Sequence, residues 1–253
     1  MIVFRYDKSF EGLLTAVFDA YARREFPDRL VGEGAALPLF AGDPHAVVTD
    51  PGKSARVWAG VERRLPRHVC NMVTYAWLSE RPGCDDLIFR FLRGAFDAGE
   101  QYSVNFADKD ALELRQLALK VSREGCFVRE FIRFQKGGDG TFLGLTAPEY
   151  NALPLAINHF LDRFADQKWL VYDTRRHYGY YYDLHRVTEI TLDDDAHLLD
   201  GHPGDDLLAE DEKYFQELWK TYFRSVAIKE RKNPRLQRQM MPRRFWKYLT
   251  EKQ

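Results

Sequence analysis

Residues 126–147 read CFVREFIRFQKGGDGTFLGLTA. Apolar and polar side chains alternate through the first nine residues, and QKGGDG supplies the glycines and aspartate of a chain reversal. TFLGLTA then returns as a second apolar run, so the stretch reads as a β-hairpin over 126–147. The class of the fold turns on this point. Before it, from Asp50 to about Gly125, the pattern is helical; after it, to residue 192, strands dominate.

On the strand-rich side, residues 153–166 place Leu153, Ile157, Phe160, Leu161 and Phe164 on one helical face. Strands are predicted near 168–173 (WLVYD within it), 177–183 and 186–192. On the helical side, Asp50 is a good N-cap and Pro51 suits a first turn. Pro66, Pro82 with Gly83, and residues 108–110 then divide 50–125 into roughly four helices. Residues 2–6 look like a further strand that joins the same sheet, followed by a helix capped by Asp7 or Ser9; 26–49 read as loop. The expected fold is α+β: an antiparallel or mixed sheet packed with helices, plus an all-α insert. It is expected as a single domain over 1–253, with the insert at 50–125, a sheet-rich core at 126–192 and basic helices at 213–250.

Composition narrows the function. The chain has 253 residues, 45% hydrophobic and 14% aromatic, enough for a sizeable core. A formal charge of −1 makes the whole molecule a poor polyanion binder, so any such role rests on local patches. Those patches exist. Residues 189–212 carry ten acids and no Lys or Arg, whereas 213–253 carry twelve bases against three acids. Tyr214, Phe215, Leu218, Trp219, Tyr222, Phe223 and Val226 form a broad apolar helical face within the basic section. Cys70, Cys84 and Cys126 form no CxxC, which suits a reducing cytoplasm. The N-terminus has charges inside its apolar stretch and is not read as a signal peptide, and no apolar run is long enough to span a membrane.

Self-sufficient catalytic motifs are missing. PGKS at 51–54 lacks the glycine a phosphate-binding loop needs at position 47, where Val47 stands, and reads as a helix start. The acidic loop 193–206 offers carboxylates and two histidines, but Leu198 occupies the place of the EF-hand glycine, so it reads as solvated. No metal, no cofactor and no catalytic residue is assigned. One candidate pocket joins His159, Arg163, Asp173 and His177, with Arg175 beside them.

The stretch 174–183, TRRHYGYYYD, carries a second possibility. In a strand, Tyr178, Tyr180 and Tyr182 share one face, a platform on which bases can stack if it is exposed, and Arg175 and Arg176 stand ready for phosphates. An ordinary alternative is that a helix covers all three rings. The C-terminal run adds Arg231, Lys232, Asn233, Arg235, Gln237, Arg238, Arg243, Arg244, Trp246 and Lys247, whose cations, amides and aromatic suit phosphate and base contacts. They also suit internal pairing with the acidic stretch before them.

Taken together, 159–183 and 218–251, with YDKSFEGLLTAVF near the start and REGCFVREFIRF in the middle, resemble a bacterial domain-of-unknown-function family of DNA-metabolism proteins. The resemblance spans essentially the whole chain. It implies a gene neighbour of the radical-SAM class linked to DNA modification or repair, and in some members a fused uracil-DNA-glycosylase-type domain. Here such a glycosylase would come from a separate chain. GEGAA at 32–36 and HPG at 202–204 echo glycosylase motifs but lack their proline and serine. The resemblance therefore implies a cytoplasmic accessory protein that binds nucleic acid, DNA rather than RNA. An enzyme acting on nucleic acid or a nucleotide at the His159–Asp173 pocket, and a protein-interaction scaffold, are the other expectations.

Overall fold

The computed structural model describes residues 1–98, 105, 107–192, 198, 203–204 and 207–252. Its class is mixed α+β, with two sheets. The chain divides into two compact units, Met1–Val121 and Ser122–Gln253.

In the first unit, β1 (Val3–Tyr6) leads into α1 (Phe10–Arg23). Ser9 caps this helix by accepting from the Gly12 N–H at 2.9 Å, and Arg24 closes it with a left-handed φ of 57°. β2 (Arg29–Gly32) returns parallel to β1, as a helical crossover allows, and β3 (His45–Ala46) lies parallel on its other side. The strand over 2–6 thus belongs to a separate three-stranded sheet, not to the later one. Its partners lie inside 26–49, which reads as loop because strands of four and two residues are too short for a period to show.

Four helices follow: α2 (Pro51–Arg64), α3 (Arg67–Trp77), α4 (Cys84–Asp97) and α5 (Lys109–Phe131). Asp50 caps α2 through the Gly52 and Lys53 N–H groups, so PGKS is a helix start. Two buried carboxylates in the first turn of α4 bind it to the sheet. Asp85 accepts from Tyr6 Oη at 3.0 Å and pairs with Lys8; Asp86 accepts from the Leu30 N–H at 2.7 Å and pairs with Arg29 at 3.1 Å.

α5 corrects the hairpin boundary. It runs to Phe131, so 126–131 are helical and the hairpin is β4 (Phe134–Lys136) with β5 (Phe142–Thr146). The reason is periodic. Ala111, Leu114, Leu117, Ala118, Val121, Val128 and Phe131 are buried at steps of three and four, with Glu124 and Gly125 on the same stripe. That long helical register overrides a short alternation that begins partway along it.

In the second unit the sheet runs β4-β5-β6-β7-β8, with β6 (Trp169–Asp173), β7 (Tyr178–Tyr182) and β8 (Val187–Ile190). It is mixed: β5 and β6 are parallel and the other pairs antiparallel. The parallel step crosses through a 3-10 turn, Leu153–Ala156, and α6 (Ile157–Arg163). Val128, Leu153, Ile157, Phe160, Trp169, Val171 and Tyr182 form the core on one side of the sheet. Leu145 and Tyr172, whose side chains face the other way, pack with Leu198 and Tyr248. α7 (Glu212–Val226) and α8 (Pro234–Met240) precede two 3-10 turns, Arg243–Tyr248 and Thr250–Lys252. Among the described residues no helix is long and apolar enough to cross a membrane, and Cys70, Cys84 and Cys126 are free thiols.

Candidate nucleic-acid interface

The turn between β6 and β7 is organised by Asp173. This carboxylate is fully buried; its Oδ1 accepts from the backbone N–H groups of Arg175 and Arg176, and its Oδ2 from the Arg176 guanidinium at 3.0 Å. Burial pushes the Asp173 carboxyl above its ordinary value, against the hydrogen bonds and charge of Arg176. With both oxygens engaged, Asp173 holds the turn and is poorly placed to serve as a base. His177 takes a left-handed φ of 57° at the end of that turn and is exposed. His159 and Arg163 lie exposed on α6, the histidine edge-on to Phe160 and the guanidinium over Phe164. The proposed pocket thus has its acid inside the fold and its helix members at the surface.

The tyrosine platform is largely internal. Tyr182 is 7% exposed and donates to the carbonyls of Ala165 and Leu184. Tyr178 and Tyr180 are half-buried against the same core, their hydroxyls bonded to Asn151 and Glu189. The face that alternation selects is the one that the α5–α6 side of the unit covers. One ring is core and two are half-buried against it, so the strand offers bases only part of a stacking face.

The arginines of the turn stay at the edge. Arg176 donates to the carbonyls of Pro148 and Glu149, leaving its side chain 13% exposed, while Arg175 is exposed with one bond to Glu149 O. This turn meets the C-terminal segment. Thr174 Oγ1 and Tyr248 Oη, 74 positions apart, hydrogen bond at 2.9 Å. The Glu149 N–H donates to Glu124, and Glu124 also accepts both arms of Arg244. Two basic stretches, 175–177 and 243–247, are therefore parts of one hydrogen-bonded layer, with Arg175, His177, Arg243 and Lys247 exposed on it.

Farther along, Arg231, Lys232, Arg235 and Arg238 are exposed. No ion pair among the described residues engages Arg231, Lys232 or Arg235. Arg238 donates to Pro234 O, Asn233 caps α8 through the Leu236 N–H, and Gln237 is half-buried. Arg243 lies over the Trp246 ring, whose Nε1 donates to Met241 O. Arg244 differs in being paired with the buried Glu124, its own side chain staying 36% exposed. Three described acids of the 189–212 stretch have other partners: Glu189 holds Tyr180, Asp211 pairs with Lys136, and Glu212 accepts from the Lys136 N–H. Residues 193–197, 199–202 and 205–206 of that stretch, which include most of the acidic loop, lie outside the described residues.

α7 supplies aromatics that the tyrosine strand does not. Glu212, Gln216, Trp219 and Phe223 recur on one stripe; Gln216 donates to Glu212, Trp219 Nε1 donates to Glu251, and Lys252 lies over Phe223. The stripe beside it, Tyr214, Phe215, Leu218, Tyr222 and Val226, points outward with exposures of 46–65%. Its apolar spacing is legible in the sequence; its exposure is not.

A family model described as a domain of unknown function, DUF4130, matches residues 82–251. The chain belongs to the DUF4130 family. The match begins just before α4 and takes in α5, the whole five-stranded sheet and the C-terminal basic section, so every residue of the candidate interface lies in the DUF4130 segment. No curated protein and no solved structure matches the chain.

Proposed function

We propose that this DUF4130 protein is a DNA-metabolism accessory protein that binds nucleic acid in a repair or modification pathway. One observation carries the reading: exposed cations from two distant stretches, 175–177 and 243–247, share a single hydrogen-bonded layer. The exposed arginines of 231–238 and the outward rings of α7 extend the same chemistry, phosphate contacts and surfaces on which bases stack. The resemblance supplies the setting: a cytoplasmic protein acting with a radical-SAM DNA-modification partner, and with a separate uracil-DNA-glycosylase-type protein. Lys213, Lys220 and Arg224 lie among the rings in the α7 sequence, which favours this reading over a neutral scaffold, whose contact face would be apolar without them.

The test is fluorescence anisotropy with labelled single-stranded and duplex DNA across a salt series. Binding should weaken steeply with salt, log K falling by about 0.7–0.9 per phosphate neutralised for each tenfold rise in salt. Arg231→Ala/Arg235→Ala/Arg238→Ala and Arg175→Ala/Arg243→Ala/Lys247→Ala should each flatten that slope. No binding at low salt, or a slope untouched by both variants, would overturn the proposal.

A further inference from the structure

In the first unit α1, α2 and α4 enclose an open groove of about 770 Å³, in the size range of small-molecule sites. Its floor is apolar, and its charged and aromatic members are Phe18, Tyr21, Arg56, Arg63, Arg64 and Phe96. Three of these six are cations, and none is an acid.

The sequence of α2 explains the shape. In RVWAGVERR, Arg56 and Arg63 are seven residues apart and share a face, with Arg64 alongside. One turn above Arg56 stand Ala59 and Gly60, so between the arginines the helix presents almost bare backbone. A Cβ on Gly60 would lie 3.1 Å from the Phe96 ring, a tight contact that the ring would have to ease by a few tenths of an ångström. The Cα atoms of Arg56 and Arg63 stand about 10 Å apart along the axis by helical rise, on either side of this notch.

Two of the three cations are oriented by aromatic rings. The Arg56 guanidinium lies 5.1 Å from the centre of the Phe18 ring, and that of Arg64 lies 5.1 Å from the Phe96 ring. Arg64 makes one long bond, 3.4 Å, to Gly60 O, and its buried Nε has no acceptor. No ion pair among the described residues engages Arg56, Arg63 or Arg64. A guanidinium set over a ring at this distance keeps its remaining donors for an oxyanion, and the apolar floor of the groove is left for the rest of a ligand. The groove therefore asks for two things in one ligand, an anionic head and a flat apolar body. Being open, it suits a planar ring better than an acyl chain, which needs enclosure to leave water.

We infer that this groove is a binding site for a phosphate-bearing planar ring, the chemistry of a nucleoside monophosphate, held by Arg56 and Arg63 over the Ala59–Gly60 notch. All members of this site belong to the first unit, and the residues of the C-terminal interface belong to the second.

Calorimetric titration of the full chain with deoxyadenosine monophosphate, with adenosine and with inorganic phosphate tests it. Saturable binding of the monophosphate is expected, with adenosine and phosphate each weaker by about tenfold or more, since each forfeits one half of the contacts. Arg56→Ala/Arg63→Ala should weaken the monophosphate by about tenfold or more, and Arg63→Glu should abolish binding. Both positions are exposed, so thermal melting should match the parent. Arg231→Ala/Arg235→Ala/Arg238→Ala should bind the monophosphate like the parent, which separates failure of this site from failure of the C-terminal one. No saturable binding at millimolar monophosphate, equal binding by inorganic phosphate, or affinity indifferent to the α2 variants would overturn the inference.

Discussion

Glu124 and Arg244, 120 residues apart in sequence, form a two-armed ion pair with the carboxylate side chain 3% exposed. Glu124 also accepts the Glu149 N–H at 2.7 Å, so one carboxylate ties α5, the loop before the 3-10 turn and the C-terminal segment together. Removing Arg244 leaves a buried charge without its main partner. Arg244→Ala should destabilise the protein by about 2–4 kcal/mol in denaturant melts, while the folded variant keeps most of its DNA affinity. Loss of affinity without loss of stability would make Arg244 a ligand contact instead.

Glu251 provides a pH signature. Burial pushes its carboxyl up, but the Arg133 guanidinium, at 2.6 and 3.2 Å, and the Trp219 indole N–H hold it below its ordinary value of 4.5. A depressed folded pKa means that the unfolded chain binds the proton more tightly, so this group's contribution is present above 4.5 and lost as pH falls through the folded value. Glu251→Gln should be less stable than the parent at neutral pH, and should lose less on acidification below the usual glutamate range. Urea melts across that range decide it; parallel curves would count against the pair.

Two tyrosines should separate fold from function. Tyr182 lies 5.4 Å from the Trp169 ring centre within the core, and Tyr182→Ala should cost about 3–5 kcal/mol of stability. Tyr222 is 58% exposed on α7, and Tyr222→Ser should shift stability by only about 0.5 kcal/mol while weakening single-stranded DNA by about 1–3 kcal/mol. Unaltered DNA affinity in Tyr222→Ser would remove α7 from the interface.

Gly179 faces Tyr172 across β6 and β7, and a Cβ there would lie 2.4 Å from Val171 O and 2.8 Å from the Tyr172 ring. Neither backbone can retreat without breaking the ladder. Gly179→Ala should cost about 1–3 kcal/mol or more, read as a lowered melting temperature with flattened strand pairing in hydrogen exchange. A neutral substitution would mean that the strands sit farther apart than described.

Much of the fold was legible because local chemistry and periodicity report it. The Asp50–Pro51 start of α2, the break at Pro66 and the strands at 169–173 and 178–182 all announce themselves within a few residues. The hairpin boundary was misplaced because 126–131 satisfy a two-residue and a 3.6-residue period at once, and only the buried stripe from Ala111 onward decides between them. The candidate site was half legible. Clustered arginines near the C-terminus are visible as composition, yet nothing local distinguishes Arg244, paired with Glu124, from Arg235.

By itself, then, the sequence determined the α+β class, most helix starts and the stretches that hold the charge, since these depend on neighbours a turn or a pleat away. Tertiary structure alone decided which tyrosine face is core and which α7 face meets water. It alone seated Arg244 on a buried carboxylate and brought Thr174 to Tyr248, and it opened a cationic groove on α2. Burial and pairing of this kind depend on what arrives from far along the chain, and no local pattern carries that information.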